Sequence, residues 1–172
     1  MKGKLEIVTN VVVIVLALTI GFVFVKDRFF GPALGSSDIK AGDRLAGPKG
    51  LDWNAHDRTL LMVLRKGCHY CEDSVPFYQR LVDKRKHDAA DLAIVALFPD
   101  DAETARTVTK SESLDVETLG GVPLQTLRVS GTPALILVDR SGIVLNTWVG
   151  MLSPKQELDV MKATDCVSAG CT

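Results

Sequence analysis

Hydrophobic residues fall along this chain in five dense runs, separated by polar stretches with helical spacing. The first run, residues 7–25 (IVTNVVVIVLALTIGFVFV), carries no charge. As a helix rising about 1.5 Å per residue it would span about 28 Å, close to the hydrocarbon thickness of a bilayer. Lys2 and Lys4 precede it, and Lys26, Asp27 and Arg28 follow. The excess of positive charge in front favours a cytoplasmic N-terminus. A buried core helix and a cleaved signal peptide are the competing readings, the second drawing on the small residues ALG at 33–35. The run is long for a signal peptide, and charged residues with Phe29 and Phe30 separate it from that site. The reading is therefore an uncleaved signal anchor over residues 1–30. A cleaved signal would equally send the remainder across a membrane.

The other four runs have the length of strands. Residues 60–64 (LLMVL), 92–98 (LAIVALF) and 134–138 (ALILV) are continuous, as expected of strands covered on both faces. Residues 143–149 (IVLNTWV) are more mixed, and DRSG at 139–142 is a turn that makes the last two runs a hairpin. Between them lie helical patterns. In 68–86, Cys71, Val75, Tyr78 and Val82 share one face. DDAE from 100 offers Asp100 as a cap with Glu103 three residues on, leading a weakly amphipathic segment to about Glu112. SPKQ at 153–156 places Ser153 at a cap, Pro154 at the first helical position and Gln156 third, with Leu158 and Met161 as the apolar stripe. The sum is an α/β sandwich of layers around a β-sheet. Residues 31–42, rich in Gly, Ser and Pro, read as a linker. The domain is counted as 43–172, with ordered chain expected from near Ile39.

Composition adds little beyond this. The 172 residues hold 20 basic and 21 acidic side chains, a net charge of −1, so the concentrated basic face of a nucleic-acid binder is not expected. No cofactor is implied. Oligomeric state is unconstrained, with a monomer as the default.

The chemistry lies in RKGCHYCEDSVPFY, residues 65–78, where Cys68 and Cys71 sit two residues apart at a strand-to-helix junction. Three chemistries fit a C-x-x-C pair. A structural zinc site wants four ligands, and only the scattered His56, His69 and His87 and the distant Cys166 and Cys171 are on offer. A static disulfide would close a tight ring at an unusual place. Redox exchange fits best: at a helix N-terminus, unpaired N–H groups and the positive end of the dipole stabilise a thiolate on Cys68, with Arg65 and Lys66 adding positive potential. Cys71, one turn on and facing inward, is expected to be the less accessible. Cys68 would then form the mixed disulfide and Cys71 resolve it. His69, if protonated, would favour the thiolate; otherwise it faces water. Tyr70 is read as a docking element or local packing. Cys166 and Cys171 at the end of the chain can close a disulfide, form a second redox pair or remain free.

In this order of features the sequence resembles the thioredoxin superfamily. An apolar strand leads into C-x-x-C, Pro76 follows five residues after Cys71, SGTP at 130–133 precedes a strand, and VGMLSPKQEL runs from 149 into a last helix. The resemblance covers roughly residues 40–163. It implies a thioredoxin-like three-layer sandwich with a central mixed sheet, a cis Pro133 beside Cys68 with Thr132 preceding it, and protein thiols and disulfides as partners. His69, Tyr70, Thr132 and Pro133 are the implied docking residues. The interval from Cys71 to Pro133 is longer than in plain thioredoxin, which implies extra helical material around 100–128. With the anchor and linker, it is similar to the membrane-tethered TlpA-like branch, which includes cytochrome c maturation thioredoxins. That branch implies a single-pass protein of the bacterial cytoplasmic (inner) membrane, tethered through residues 7–25, with its domain on the periplasmic side.

Three positions depart from the family pattern. The usual Trp before the first cysteine is Gly67, the buried carboxylate of the preceding strand is Met62, and the glutamate some relatives carry after the second cysteine is Ser74. No familiar base is left to deprotonate Cys71, and reductant, oxidant and isomerase remain open. Two rival functions share the fold. A peroxiredoxin-like peroxidase would need Thr or Ser where Arg65 stands, and a Sco-like copper chaperone would need C-x-x-x-C and a late histidine, whereas the last one here is His87. No metal is expected.

Overall fold

The structure, a computed structural model, describes residues 39–87 and 91–165. The uncharged run 7–25, residues 31–38 of the linker, and Cys166 and Cys171 lie outside the described residues. Among the described residues no helix is long and apolar enough to cross a membrane.

The four short apolar runs form β1 (Arg58–Val63), β2 (Leu92–Leu97), β4 (Ala134–Asp139) and β5 (Val144–Val149). A fifth strand, β3 (Glu117–Leu119), is too short and too mixed to stand out in the sequence. The sheet runs β3-β2-β1-β4-β5. Strands β1, β2 and β3 are parallel, whereas β4 runs antiparallel to both β1 and β5. The continuous apolar runs occupy the centre because both their faces are covered. Leu60, Met62, Ile94, Ala96, Leu135 and Leu137 pack on one side, and Leu61, Val63, Val95, Leu97, Ile136 and Val138 on the other.

The first face is covered by helices α1 (His69–Asp73), α2 (Val75–His87), α3 (Ala102–Ser111) and α4 (Pro154–Asp165), through Phe77, Tyr78, Leu81, Val82, Ala105 and Val160. The second face is covered by irregular chain: Ile39, Leu45, Val122, Leu127 and Val129. Among the described residues no α-helix contributes to that side. The helical material expected around 100–128 is thus confined to α3. Beyond it, Gly120, Gly121 and Pro123 deny a helix its backbone, and 123–129 close as successive turns, Thr126 N–H to Pro123 O (3.0 Å) and Leu127 N–H to Leu124 O (3.1 Å) among them.

Other expectations shift by a residue or a turn. The helix read over 68–86 is two helices broken at Ser74, because the ring of Pro76 crowds the carbonyl four residues back, on Glu72. Cys71, Tyr78 and Val82 share the buried face as their spacing predicts, and Val75 is half-buried. In α4 the buried positions are Val160 and Thr164, and Leu158 is 60% exposed. The α4 start follows its sequence signal: Ser153 N–H donates to Gln156 Oε1 (3.0 Å) and Gln156 N–H to Ser153 Oγ (3.4 Å). In DDAE the cap is Asp101 and not Asp100. Asp101 accepts from the Glu103 and Thr104 amides (3.0 and 2.9 Å), and the Thr104 bonds hold its carboxyl below the usual carboxylate range. Across the sheet's far end, Arg58 donates to the Ala163 and Thr164 carbonyls (2.7 and 3.2 Å), tying β1 to the negative end of α4.

Gly120 fixes where β3 meets α3. A Cβ there would lie 2.5 Å from Ala102 Cα and 2.6 Å from the Asp101 carbonyl carbon, all backbone that cannot rotate away. Gly120→Ala is expected to destabilise the domain by about 3 kcal/mol. Urea denaturation of the full chain checks this, and an unchanged midpoint would contradict the close approach.

Candidate active site

Strand β1 ends at Val63, and the chain then turns through Arg65–Cys68, closed by Cys68 N–H to Arg65 O (3.3 Å). Gly67 takes φ +67° in that turn, a conformation that costs any residue with a Cβ. This is the physical reason glycine stands where the resemblance expected tryptophan. Cys68 caps α1 through its carbonyl, which accepts from Cys71 N–H (2.9 Å) and Glu72 N–H (3.1 Å). One turn places the two sulfurs together: Cys68 and Cys71 are disulfide-bonded, with Cα atoms 5.2 Å apart.

The peptide bond Thr132–Pro133 is cis. Thr132 meets Cys68 twice. Its hydroxyl donates to Cys68 Sγ at 3.4 Å, and its carbonyl oxygen lies 3.5 Å from the same sulfur. In the disulfide that second approach is a contact only, since the sulfur has no proton; the reduced thiol would donate there. α1 is only five residues long, so its aligned dipoles are few. The Thr132 hydroxyl, aimed at the sulfur, is accordingly the most direct stabiliser of a Cys68 thiolate.

The exposure contrast expected between the cysteines is slight. Cys68 is 8% exposed and Cys71 6%, since Thr132 covers one and the helical core of the domain the other. Met62, fully buried, belongs to the same core cluster. Ser74 is buried too, its hydroxyl donating to Tyr70 O (2.7 Å). Burial pushes the Tyr78 phenol well above its ordinary range. Among the described residues, no group of three or more His, Cys, Asp or Glu is placed to hold a metal ion.

Of the residues singled out in the sequence, Cys68, Cys71, Thr132 and Pro133 converge. His69 does not join them: its ring is 79% exposed and its Nε2 lies 3.4 Å from Asp73 Oδ2, a surface pair worth little. Tyr70 is 51% exposed beside the pair. Two contacts at the site escaped notice in the sequence. Gly150 N–H donates to Pro133 O (2.8 Å), so Met151, 55% exposed, follows directly on the residue bound to the cis-proline. Asp100 Oδ2 accepts from Lys66 N–H (3.1 Å). Neither carried a local signal, because both contacts join chain segments far apart in sequence.

No protein-family model and no curated protein matches the sequence. Solved structures do match. A thiol-disulfide isomerase from Corynebacterium glutamicum superposes with TM-score 0.55 at 15% identity, covering 76% of this chain and 96% of that one. A thiol:disulfide interchange protein from a Bacteroides species gives 0.55 at 18%, covering 79% and 93%. The thioredoxin domain of a thiol-disulfide oxidoreductase from Bacteroides vulgatus gives 0.54 at 18%, covering 77% and 99%. The fold is thioredoxin-like. Within that fold, Cys68-x-x-Cys71 opens the first helix after β1, and Thr132–Pro133 lead into β4.

The turn before Cys68 yields a direct test. A Cβ on Gly67 meets nothing within 4 Å, so only the backbone conformation resists it. Gly67→Ala is expected to cost about 1 kcal/mol and to lower the calorimetric melting temperature of the oxidised protein. An equal or higher melting temperature would contradict the left-handed turn.

Proposed function

We propose that this chain is a membrane-anchored thiol-disulfide oxidoreductase that exchanges electrons with protein partners through Cys68 and Cys71. The observation that carries the reading is the Thr132 hydroxyl on Cys68 Sγ at 3.4 Å, with the pair at the start of a helix in a thioredoxin-like fold. The structural neighbours, described as oxidoreductases and isomerases, support the same reading.

In the reducing direction, the Cys68 thiolate attacks one sulfur of a partner disulfide. A Cys68–partner bond forms and the partner's other sulfur leaves as a thiolate. The Cys71 thiolate then attacks Cys68 Sγ, re-forming the bond between the two cysteines and releasing the partner's second thiolate. Two electrons pass to the partner, and its thiolates take protons from solvent. The oxidising direction is the reverse, beginning with attack by a partner thiolate on Cys68 Sγ. Thr132 stabilises the charged form of Cys68 in either case. Cys71, the second of the pair and held inside α1, is the resolving thiol. Tyr70 and the Thr132–Pro133 backbone supply the docking surface around it, with His69 at its solvent edge.

Residues 7–25 serve in this reading as the anchor, uncharged and long enough to cross a bilayer. The domain then stands on the periplasmic side of a bacterial cytoplasmic membrane, where protein disulfides persist.

Cys68→Ser is expected to abolish exchange, and Cys71→Ser to accumulate a mixed disulfide held on Cys68. Insulin reduction driven by dithiothreitol reads the first, and mass spectrometry of the trapped adduct the second. Adducts on Cys71 in the parent protein would overturn the assignment of roles. The Cys68 thiol is also expected to ionise below an ordinary cysteine, and Thr132→Val to move it upward. Thiolate absorbance against pH checks both, and identical curves for the two proteins would remove Thr132 from the account.

A further inference from the structure

We propose that Asp100 is a positioning residue of the redox site, bracing the turn that delivers Cys68 and holding the cysteine pair toward its disulfide form. The inference rests on the exchange reading above.

Its basis is strand register. β1 and β2 run parallel with Val63 opposite Leu97, and Leu64 N–H continues the ladder to Leu97 O (2.9 Å). Three residues past each strand end, Lys66 and Asp100 therefore stand opposite one another. There the backbone ladder is replaced by a side chain: Asp100 Oδ2 accepts from Lys66 N–H at 3.1 Å. The carbonyl of Asp100 accepts from Gly121 N–H at 2.6 Å, so the residue is itself held from the β3 side. Gly120 packs against the α3 start on the same side, its site for a Cβ filled by the Ala102 and Asp101 backbone. Asp101 does the capping of α3, which leaves the Asp100 carboxylate committed to the redox turn.

Asp100 is half-buried, whereas the basic groups of the turn, Arg65 and Lys66, are exposed, as are His69, Glu72 and Asp73 on α1. A fixed charge sheltered from water acts further than exposed ones, which solvent and salt screen. Lys66 is two residues from Cys68, so chain reach puts the carboxylate on the order of 10 Å from the sulfur. At that range a negative charge disfavours a thiolate on Cys68. The disulfide carries no such charge, so the equilibrium moves toward it and the pair becomes a better reductant.

The test equilibrates the full chain with reduced and oxidised glutathione. Two glutathione thiols are oxidised to their disulfide as the Cys68–Cys71 bond opens to two thiols, and alkylation followed by mass spectrometry counts each form. Asp100→Asn keeps an oxygen to accept the Lys66 N–H and removes the charge. It is expected to favour the dithiol about threefold, a shift of about 14 mV toward oxidising potential, with the rate of exchange against glutathione retained. Asp100→Ala is expected to shift the same way and to slow that exchange about tenfold, since the turn loses its brace. Parent potential in Asp100→Asn, or parent rate in Asp100→Ala, overturns the proposal. A parent protein that equilibrates with glutathione but leaves insulin untouched fails the functional reading alone.

Discussion

The site depends on one pairing, that of β1 with β4. Val63 lies opposite Ala134 in an antiparallel register. The chain leaving β1 toward Cys68 and the chain arriving at β4 through Thr132 and Pro133 must therefore meet at the same end of the sheet. Nothing local brings these residues together, since 64 positions separate Cys68 from Thr132. The pairing is held by what it buries. Leu60, Leu61, Met62, Leu135, Ile136 and Leu137 are each 2% exposed or less, split between the two faces. A one-residue slip would exchange those faces and carry Thr132 away from the sulfur.

The same end of the sheet gathers the remaining parts. Parallel pairing of β1 with β2 sets Lys66 beside Asp100, and antiparallel pairing of β4 with β5 brings Gly150 onto Pro133. Active groups thus emerge where parallel strands end and the connection changes direction, the usual place for a site in an α/β sheet. The helix break at Ser74 has a consequence for the chemistry. It leaves α1 a single short segment, so in the proposed exchange the charge on Cys68 would rest less on the helix dipole and more on a specific donor, Thr132.

Much of this was legible in the sequence because its signals are local. Continuous apolar runs announced the buried strands, Ser153–Pro154–Gln156 announced the start of α4, and Cys68-x-x-Cys71 with Pro133 announced where the candidate site lies. What escaped depended on tertiary pairing. β3 spans three residues with no alternation, and it is a strand because β2 offers it an edge. The second face of the sheet is covered by turns, whose apolar residues Val122, Leu127 and Val129 have no regular period to detect. Asp100 and Asp101 are adjacent and chemically equal, so the sequence could not say which caps the helix and which reaches across to Lys66. The near-equal burial of the two cysteines also has a tertiary origin, in the cover that Thr132 provides.

The central claim is that the bond between Cys68 and Cys71 is a working couple and not a staple. Its standard reduction potential in the full chain tests this most directly. The account predicts a reversible two-electron couple between about −270 and −120 mV, the span of proteins that exchange disulfides. A potential below about −300 mV, with no equilibration against glutathione, is the behaviour of a structural disulfide and would contradict it.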